Sequence, residues 1–376
     1  MTHRILVVAL SLAIHGLLQP TAGAAEGEAR TRYVVVLDDS AGAVGEAARQ
    51  LVPEVQAVHT YRHALRGFAA RLTATEVSRL RAAPGVAAVV PDRRLRISTS
   101  QLGPPWGLDR IDQHVLPRNN TFNYTGTGDG VTAYVIDTGI RASHMEFEDR
   151  VVTGADFVNG LPADDCNGHG THVAGTLGSE KYGVAKEVTL VPVRVLGCWG
   201  GGSLINVLAG LDWVTEHHQP GQPAVANMSL GGQSMKVLNQ AVKASIADGV
   251  TYAVAAGNEG KDACNYSPAR VGPAITVSAV KRNDVRPWWA NRGSCVDLFA
   301  PGVGIVSASN SSDTASLPAE GTSMAAPHAA GVAALYLDAH PTASPLSVRN
   351  AVYNLATKNV VGKAKSANKH LLYTNL

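Results

Sequence analysis

From about residue 106 onward the chain alternates short apolar blocks with longer amphipathic stretches. Residues 131–136, 190–195, 224–228, 251–255 and 274–280 are rich in Val, Ile, Leu and Ala, the pattern of strands buried on both faces. Between them, 204–214 and 236–246 space their apolar positions as helices do. Alternation of this kind predicts an α/β fold: a three-layer sandwich with a mostly parallel central sheet between helices. In such sheets ligands bind beyond the carboxyl ends of the strands.

The preceding segment is patterned differently. Residues 33–37 read as a strand and the Ala-rich 41–52 as a helix. Thr73-Ala74-Thr75-Glu76 is a capping box opening a second helix, which Pro84-Gly85 stops before a strand at 86–90. Strand, helix, extended middle, helix, strand predicts a small α+β unit of ferredoxin-like form. Within 25–98 there are eleven arginines, no lysine and eight acids, whereas the rest of the chain is nearly balanced. That shift, with the unpatterned Arg93-Arg94-Leu95-Arg96 joint, places a boundary near residue 98.

The extreme N-terminus has a third character. Arg4, an apolar run over 5–18 and the small residues Ala22-Gly23-Ala24 make a secretory signal over 1–24. The run is too short to span a bilayer comfortably, and no second one is longer, so a soluble exported protein is expected. Four cysteines, Cys166, Cys198, Cys264 and Cys295, then predict two disulfides; spacing leaves three pairings open. The absence of a C-x-x-C pair argues against structural zinc. Of 376 residues, 45% are hydrophobic and 16% charged, with a formal charge of +2, so no basic tract calls for nucleic acid.

Candidate chemistry collects where the predicted strands end. Asp137-Thr138-Gly139 follows the first, Ser229-Leu230-Gly231-Gly232 another, and Ala255-Ala256-Gly257-Asn258 a third. His169 lies in Asn167-Gly168-His169-Gly170-Thr171-His172, opening a helix, and Ser323 in Gly321-Thr322-Ser323-Met324-Ala325-Ala326-Pro327-His328, opening another. As metal ligands His169 and His172 lack the Glu of an H-E-x-x-H helix. As a base, His169 has an acid and a hydroxyl to serve. A hydroxyl becomes a nucleophile when an imidazole removes its proton, and a carboxylate on the other ring nitrogen fixes the tautomer. The alkoxide then needs donors, which the Ser323 N–H and the Asn258 side chain can supply. Thr322 and Ser323 are also expected to cap their helix.

These segments, in the order Asp, His, Ser, resemble the signatures of the subtilisin-like serine proteases (peptidase S8). The run from Pro105, PWGLDRIDQ, narrows the resemblance to the proteinase K subfamily, close to the aqualysin-type enzymes. The resemblance covers about 99 to the C-terminus, and 25–98 resembles the family's I9-like inhibitory propeptide. It implies a subtilisin-like domain over 99–376, released by self-cleavage near Thr99. It implies a monomeric serine endopeptidase acting on peptides and proteins, with the propeptide as folding assistant and inhibitor, and no membrane or nucleic-acid partner. Ser229, Leu230, Gly231, Ala255, Ala256 and Gly257 would wall the S1 pocket. Gly200, Gly201 and Gly202 would form an edge strand for extended substrate, with Leu204 shaping S4. An apolar or aromatic residue would precede the cut.

Cys166 would pair with Cys198 and Cys264 with Cys295. Catalysis would need no cofactor, but structural Ca²⁺ is implied twice: at Asp297 with the carbonyls of Gly272 and Ala274, and at Asp109, Asp112, Gln113, Asn119 and Thr121. Glu259, after Asn258, departs from the neutral or shorter residue of close relatives and puts a charge near S1. With no long extension after Leu376, no added binding domain is expected. Two rival readings remain. A serine esterase of the α/β-hydrolase type needs its acid and His after the Ser, where Asp338, His328 and His340 are available. A non-catalytic binding protein on a protease scaffold would cut itself once and keep its propeptide.

Overall fold

The computed structural model describes residues 30–53, 57–92, 99–160 and 163–376. The expected signal at 1–24 and the arginine-rich joint at 93–98 lie outside the described residues. The chain divides into two compact units after Arg94.

The first unit runs β1 (Thr31–Leu37), α1 (Val44–Leu51), β2 (Ala57–Tyr61), β3 (Gly67–Leu72), α2 (Ala74–Arg81) and β4 (Val86–Pro91). The expected extended middle is therefore two strands. With β1 and β4 they form a four-stranded antiparallel sheet in the order β2-β3-β1-β4. The capping box forms as predicted: Thr73 Oγ1 accepts from Glu76 N–H, and the Glu76 carboxylate accepts from Thr73 N–H. Val35, Phe68, Leu72 and Leu80 anchor a separate core under the two helices.

The second unit begins with β5 (Thr99–Leu102), α3 (Trp106–Ile111) and β6 (Thr121–Tyr124), β5 and β6 forming a hairpin. Next come β7 (Thr132–Asp137), β8 (Ala155–Asp156), α4 (His169–Gly178), β9 (Thr189–Arg194), α5 (Leu204–His217) and β10 (Ala224–Met228). After these follow β11 (Gly232–Gln233), α6 (Lys236–Asp248), β12 (Thr251–Ala255), β13 (Tyr266–Ser267), β14 (Ile275–Val280) and β15 (Leu298–Pro301). The hairpin strands β16 (Ile305–Ala308) and β17 (Ser316–Ala319) precede α7 (Thr322–Ala339) and α8 (Pro345–Leu355).

Seven strands form the central sheet in the order β15-β14-β12-β10-β7-β9-β8, all paired in parallel. The alternation of each strand fills two cores. Ala133 and Val135 of β7 face the cluster shared with α4 and α7, while Tyr134 and Ile136 face the cluster under α5 and α6. α7 is apolar all round because it lies inside the first cluster rather than on the surface. The strand order turns at β7: β9 lies on one side, and β10, β12, β14 and β15 extend on the other. That switch point is where a parallel sheet opens a crevice.

Candidate active site

β7 ends on Asp137, at the crevice. Its side chain is fully buried, and Oδ1 accepts from Thr138 N–H at 2.8 Å and lies 2.7 Å from His169 Nδ1. Against an ionised carboxylate, Nδ1 carries the proton, which leaves Nε2 as the acceptor. Oδ2 is buried without a partner among the described residues, an arrangement that favours positive charge on the ring beside it. His169 is the first residue of α4, its side chain 29% exposed. Burial, the largest influence, opposes the charged ring. The charge and hydrogen bond of Asp137, with the charge of Asp165, outweigh it, so the His169 pKa is raised above the ordinary imidazole value. Close approach of α4 to β7 requires a glycine: a Cβ on Gly170 would lie 2.1 Å from Gly139 O.

Ser323 stands at the head of α7, but not as a cap. The N-cap is Gly321, at φ 152°, and no side chain caps the helix. Thr322 is engaged elsewhere: its N–H and Oγ1 donate to Asn258 Oδ1 at 2.9 and 3.0 Å, and Oγ1 accepts from Gly257 N–H. The capping expectation fails because the Thr322 hydroxyl is spent tying α7 to the turn after β12. That tie also orients Asn258. With Oδ1 committed, the amide nitrogen points to the other side. A Cβ on Gly321 would lie 3.6 Å from Asn258 Nδ2 and 3.5 Å from Ser323 N, so the two nitrogens converge on one region.

The proline of this helix has a local consequence. Pro327 has no N–H, so the carbonyl of Ser323, four residues earlier, loses its intrahelical donor. Ser229 Oγ donates to that carbonyl at 2.7 Å, while Ser323 Oγ donates to Ser229 O at 3.1 Å. Ser229, expected only as a pocket wall, thus grips Ser323 from the strand end opposite. In this rotamer no hydrogen bond joins Ser323 Oγ to His169 among the described residues; such bonds commonly tighten only with substrate present. Both side chains open onto the same cleft, since the cavities they line share residues 229–232.

One cavity, of about 510 Å³, is lined by His169, Gly200, Gly201, Gly202, Leu204 and Leu230, among others. The predicted edge strand is not a strand here. Gly197 and Gly201 close a turn through Gly197 N–H to Gly201 O, and 200–202 pair with no strand among the described residues. Glycines without side-chain anchors, and with no chain partner at hand, stay irregular. Leu204 opens α5, whose N-cap Ser203 accepts from Asn206 N–H. A smaller cavity of about 160 Å³ runs between 229–232 and 255–259 and reaches Ser323; Gly231, Ala255, Ala256 and Gly257 line it, with Glu259. Glu259 Oε2 accepts from Asn291 Nδ2 at 2.7 Å. Asn291, buried and unforeseen in the sequence, also donates to Ala256 O and accepts from Glu259 and Lys261 N–H, so it pins the turn that carries Asn258.

Both disulfides form as the resemblance implied, Cys166–Cys198 and Cys264–Cys295. The two calcium expectations part company. Around Asp297 the residues do not fit an ion. Arg349 Nη2 donates to Asp297 Oδ1 at 2.5 Å and Arg349 Nε to Ala274 O at 3.1 Å, while Asp297 Oδ2 accepts from Thr276 N–H. A guanidinium from α8 stands where the cation was expected. Around Asp112 the residues fit better: Asp112 Oδ1 is buried without a partner among the described residues. Asp109 Oδ1 accepts from Asn120 N–H, and Asn119 Oδ1 accepts from Thr121. Burial first, then the Asp109 charge, raises the Asp112 pKa, while Asp109 Oδ2 is itself paired with Arg118 Nε at 3.6 Å. Gln113 turns its amide nitrogen to Val115 O and Pro117 O.

An α/β sandwich with an Asp–His pair at its switch point and a serine at a facing helix head defines a class, the serine hydrolases of subtilisin form. Comparison with known proteins makes this specific. The subtilase family model matches residues 128–370, and the peptidase inhibitor I9 model residues 32–98. An extracellular serine proteinase of Thermus sp. is 53% identical over 313 residues, 83% of this chain and 76% of that protein. The cuticle-degrading protease of Metarhizium anisopliae is 40% identical, covering 93% and 91%. Alkaline serine exoprotease A of Vibrio alginolyticus is 46% identical, but the matched region is only 60% of its length. The crystal structure of a cold adapted subtilisin-like serine proteinase superposes with a TM-score of 0.71 at 48% identity, covering 73% of this chain and 99% of that one. The chain belongs to the subtilase family; it is a subtilisin-like serine protease preceded by an I9 inhibitor domain.

Proposed function

We propose that this chain is a secreted endopeptidase, made as a precursor, that cuts peptide bonds through an acyl-enzyme on Ser323. His169 Nε2 takes the hydroxyl proton as Ser323 attacks the carbonyl, and later returns it to the leaving amine. Asp137 holds the imidazole in the required tautomer and stabilises it once charged. Ser323 N–H and Asn258 Nδ2 receive the oxyanion. The single observation that carries this reading is the 2.7 Å contact of Asp137 and His169 in the cleft onto which the Ser323 and Asn258 nitrogens converge.

Extended substrate lies along Gly200–Gly202, with Leu204, Leu230 and Met235 receiving an apolar side chain in the larger cavity. The residue before the cut enters between 229–231 and 255–257, where small walls suit an apolar or aromatic group. Glu259 at the rim adds tolerance for positive charge. The I9 domain is cut off near residue 98 and then inhibits, which fits the extracellular serine proteinase of Thermus sp. that this chain resembles. Asp109, Asp112, Gln113, Asn119 and Thr121 would hold a structural Ca²⁺, which would supply a counter-charge to the buried Asp112 oxygen. The test is the Ser323→Ala precursor: it stays uncut near residue 98 and hydrolyses no peptide. Normal self-cleavage of that variant would end the proposal.

A further inference from the structure

Asp165 lies four residues before His169, in the loop that enters α4, and is 5% exposed. Its carboxylate accepts five hydrogen bonds. Oδ1 receives Thr138 Oγ1 at 2.9 Å, Asn167 N–H at 2.9 Å and Gly168 N–H at 2.8 Å; Oδ2 receives Thr171 N–H at 2.8 Å and Thr171 Oγ1 at 2.6 Å. A plain helix cap needs only the backbone donors of the first turn. The hydroxyl of Thr138 comes from elsewhere, the end of β7.

The identities of these donors matter. Thr138 directly follows Asp137, and Gly170 directly follows His169. Thr138 Oγ1 donates to Asp165 and accepts from Gly170 N–H at 2.9 Å. Thr171 Oγ1 donates to Asp165 and accepts from Arg141 N–H at 3.0 Å. A closed circuit of short bonds therefore joins the backbone carrying the acid to the backbone carrying the base, with Asp165 at its centre. We propose that Asp165 is a positioning residue of the protease reaction: it locks β7 against α4 in the register that holds Asp137 on His169, and places a second buried negative charge behind the ring. This rests on the triad reading above.

All five donors to Asp165 are neutral, and among the described residues its charge meets no ion-pair partner. The other titratable and charged groups facing this region are few. Asp137 comes from β7, and Asp164 precedes Asp165 and accepts its N–H. His172 lies on α4 and His328 on α7, each with its pKa lowered to about 4 by burial and so uncharged near neutrality. From the hairpin, the carbonyls of Ile305 and Leu317 face His172. Arg141 is paired with Asp313, and Arg194 with Asp156. Among the described residues, removing the Asp165 charge thus releases no unpaired cation, and its effect falls on the imidazolium.

The experiment compares kcat, KM and the pH profile of kcat/KM for matured wild type, Asp165→Asn and Thr138→Val on one peptide substrate. Asp165→Asn is expected to lower kcat by roughly ten- to a hundredfold, as a displaced catalytic group does, with KM little changed. Its acidic limb moves to lower pH, because the imidazolium loses a stabilising charge. Thr138→Val lowers kcat but leaves the limb in place, since the carboxylate remains. If Asp165→Asn does not mature, His169 is titrated by proton NMR in the Ser323→Ala precursor with and without Asp165→Asn, and the same downward shift is expected. An unmoved limb or unmoved titration, or a wild-type kcat with only lower thermal stability, overturns the proposal. The Ser323→Ala arm separates the two readings: if that variant is inactive while Asp165→Asn behaves as wild type, only the role of Asp165 falls.

Discussion

The floor of the cleft and its glycine wall are built on opposite plans. On the floor, Asp137, Thr138, Asp165, Thr322, Asn258 and Ser229 are joined by side-chain hydrogen bonds, and the strand ends beneath them are buried. Along the wall, Gly200, Gly201 and Gly202 are exposed and carry no side chain to fix them. Chemistry demands atoms placed within tenths of an ångström, and only a network with several ties per residue supplies that. Recognition of varied peptides demands backbone groups left for the substrate. On the function proposed above, the difference says where substitutions should act: floor residues on kcat, wall residues on KM and preference.

The sharpest way to break this contrast is Asn258→Ala. We expect kcat to fall by roughly 10²–10³, the size known for subtilisin itself on losing the equivalent donor, with KM nearly unchanged in steady-state assays. A loss confined to KM would place Asn258 with the wall. Next is Arg349→Met, at a residue that lines neither cavity of the cleft. It strands the buried Asp297 carboxylate and should cost about 3 kcal/mol in urea unfolding while leaving kcat untouched. Added Ca²⁺ should then restore part of the variant's stability and do nothing for this junction in the parent.

Comparable in size is the effect of acid. His172 and His328 have pKa values near 4 because burial penalises their charged forms, against about 6.5 in the unfolded chain. Between those values the unfolded state binds the extra protons. Stability is therefore complete above about pH 6.5 and lost as pH falls towards 4, by on the order of 3 kcal/mol per ring. Thermal unfolding of Ser323→Ala across this window checks it; a flat midpoint would contradict the burial of these rings. Ser229→Ala should cost about 1–3 kcal/mol, since it leaves the Ser323 carbonyl without its donor, and should lower kcat more than it raises KM. Smallest is Glu259→Gln: kcat on an apolar substrate should hold, while the relative rate on a Lys or Arg substrate falls severalfold. Equal changes on both substrates would detach Glu259 from preference.

The sequence made the strands of the sheet legible because parallel strands buried on both faces are written as unbroken Val, Ile and Ala runs; 224–228 and 251–255 match β10 and β12 to the residue. β8 and the hairpin of β16 and β17 escaped, being short and of mixed polarity. Type and position pointed to Asp137, His169 and Ser323, and the structure brings the first two to 2.7 Å beside the cleft that Ser323 lines. The supports of these residues were not legible, because an Asp two residues before an Asn-Gly pair reads as an ordinary turn, and nothing in Asp165 announces a bond to Thr138 27 residues away. The cap at Ser323 was misjudged for the same reason: a local rule was applied where a distant partner, Asn258, had already claimed the neighbouring hydroxyl. Likewise Asp297 looked like a cation ligand, and it is one, but its cation lies in α8.

That guanidinium alters how the junction of β14, β15 and α8 answers to its surroundings. A bound metal leaves and returns according to the free ion outside, so a joint that depends on it loosens in dilute or chelating fluid. A cation attached through the main chain has no such exchange: its local concentration is set by the fold and is the same in every medium. In the secreted setting proposed above, this seam would hold equally in hard water and in soft.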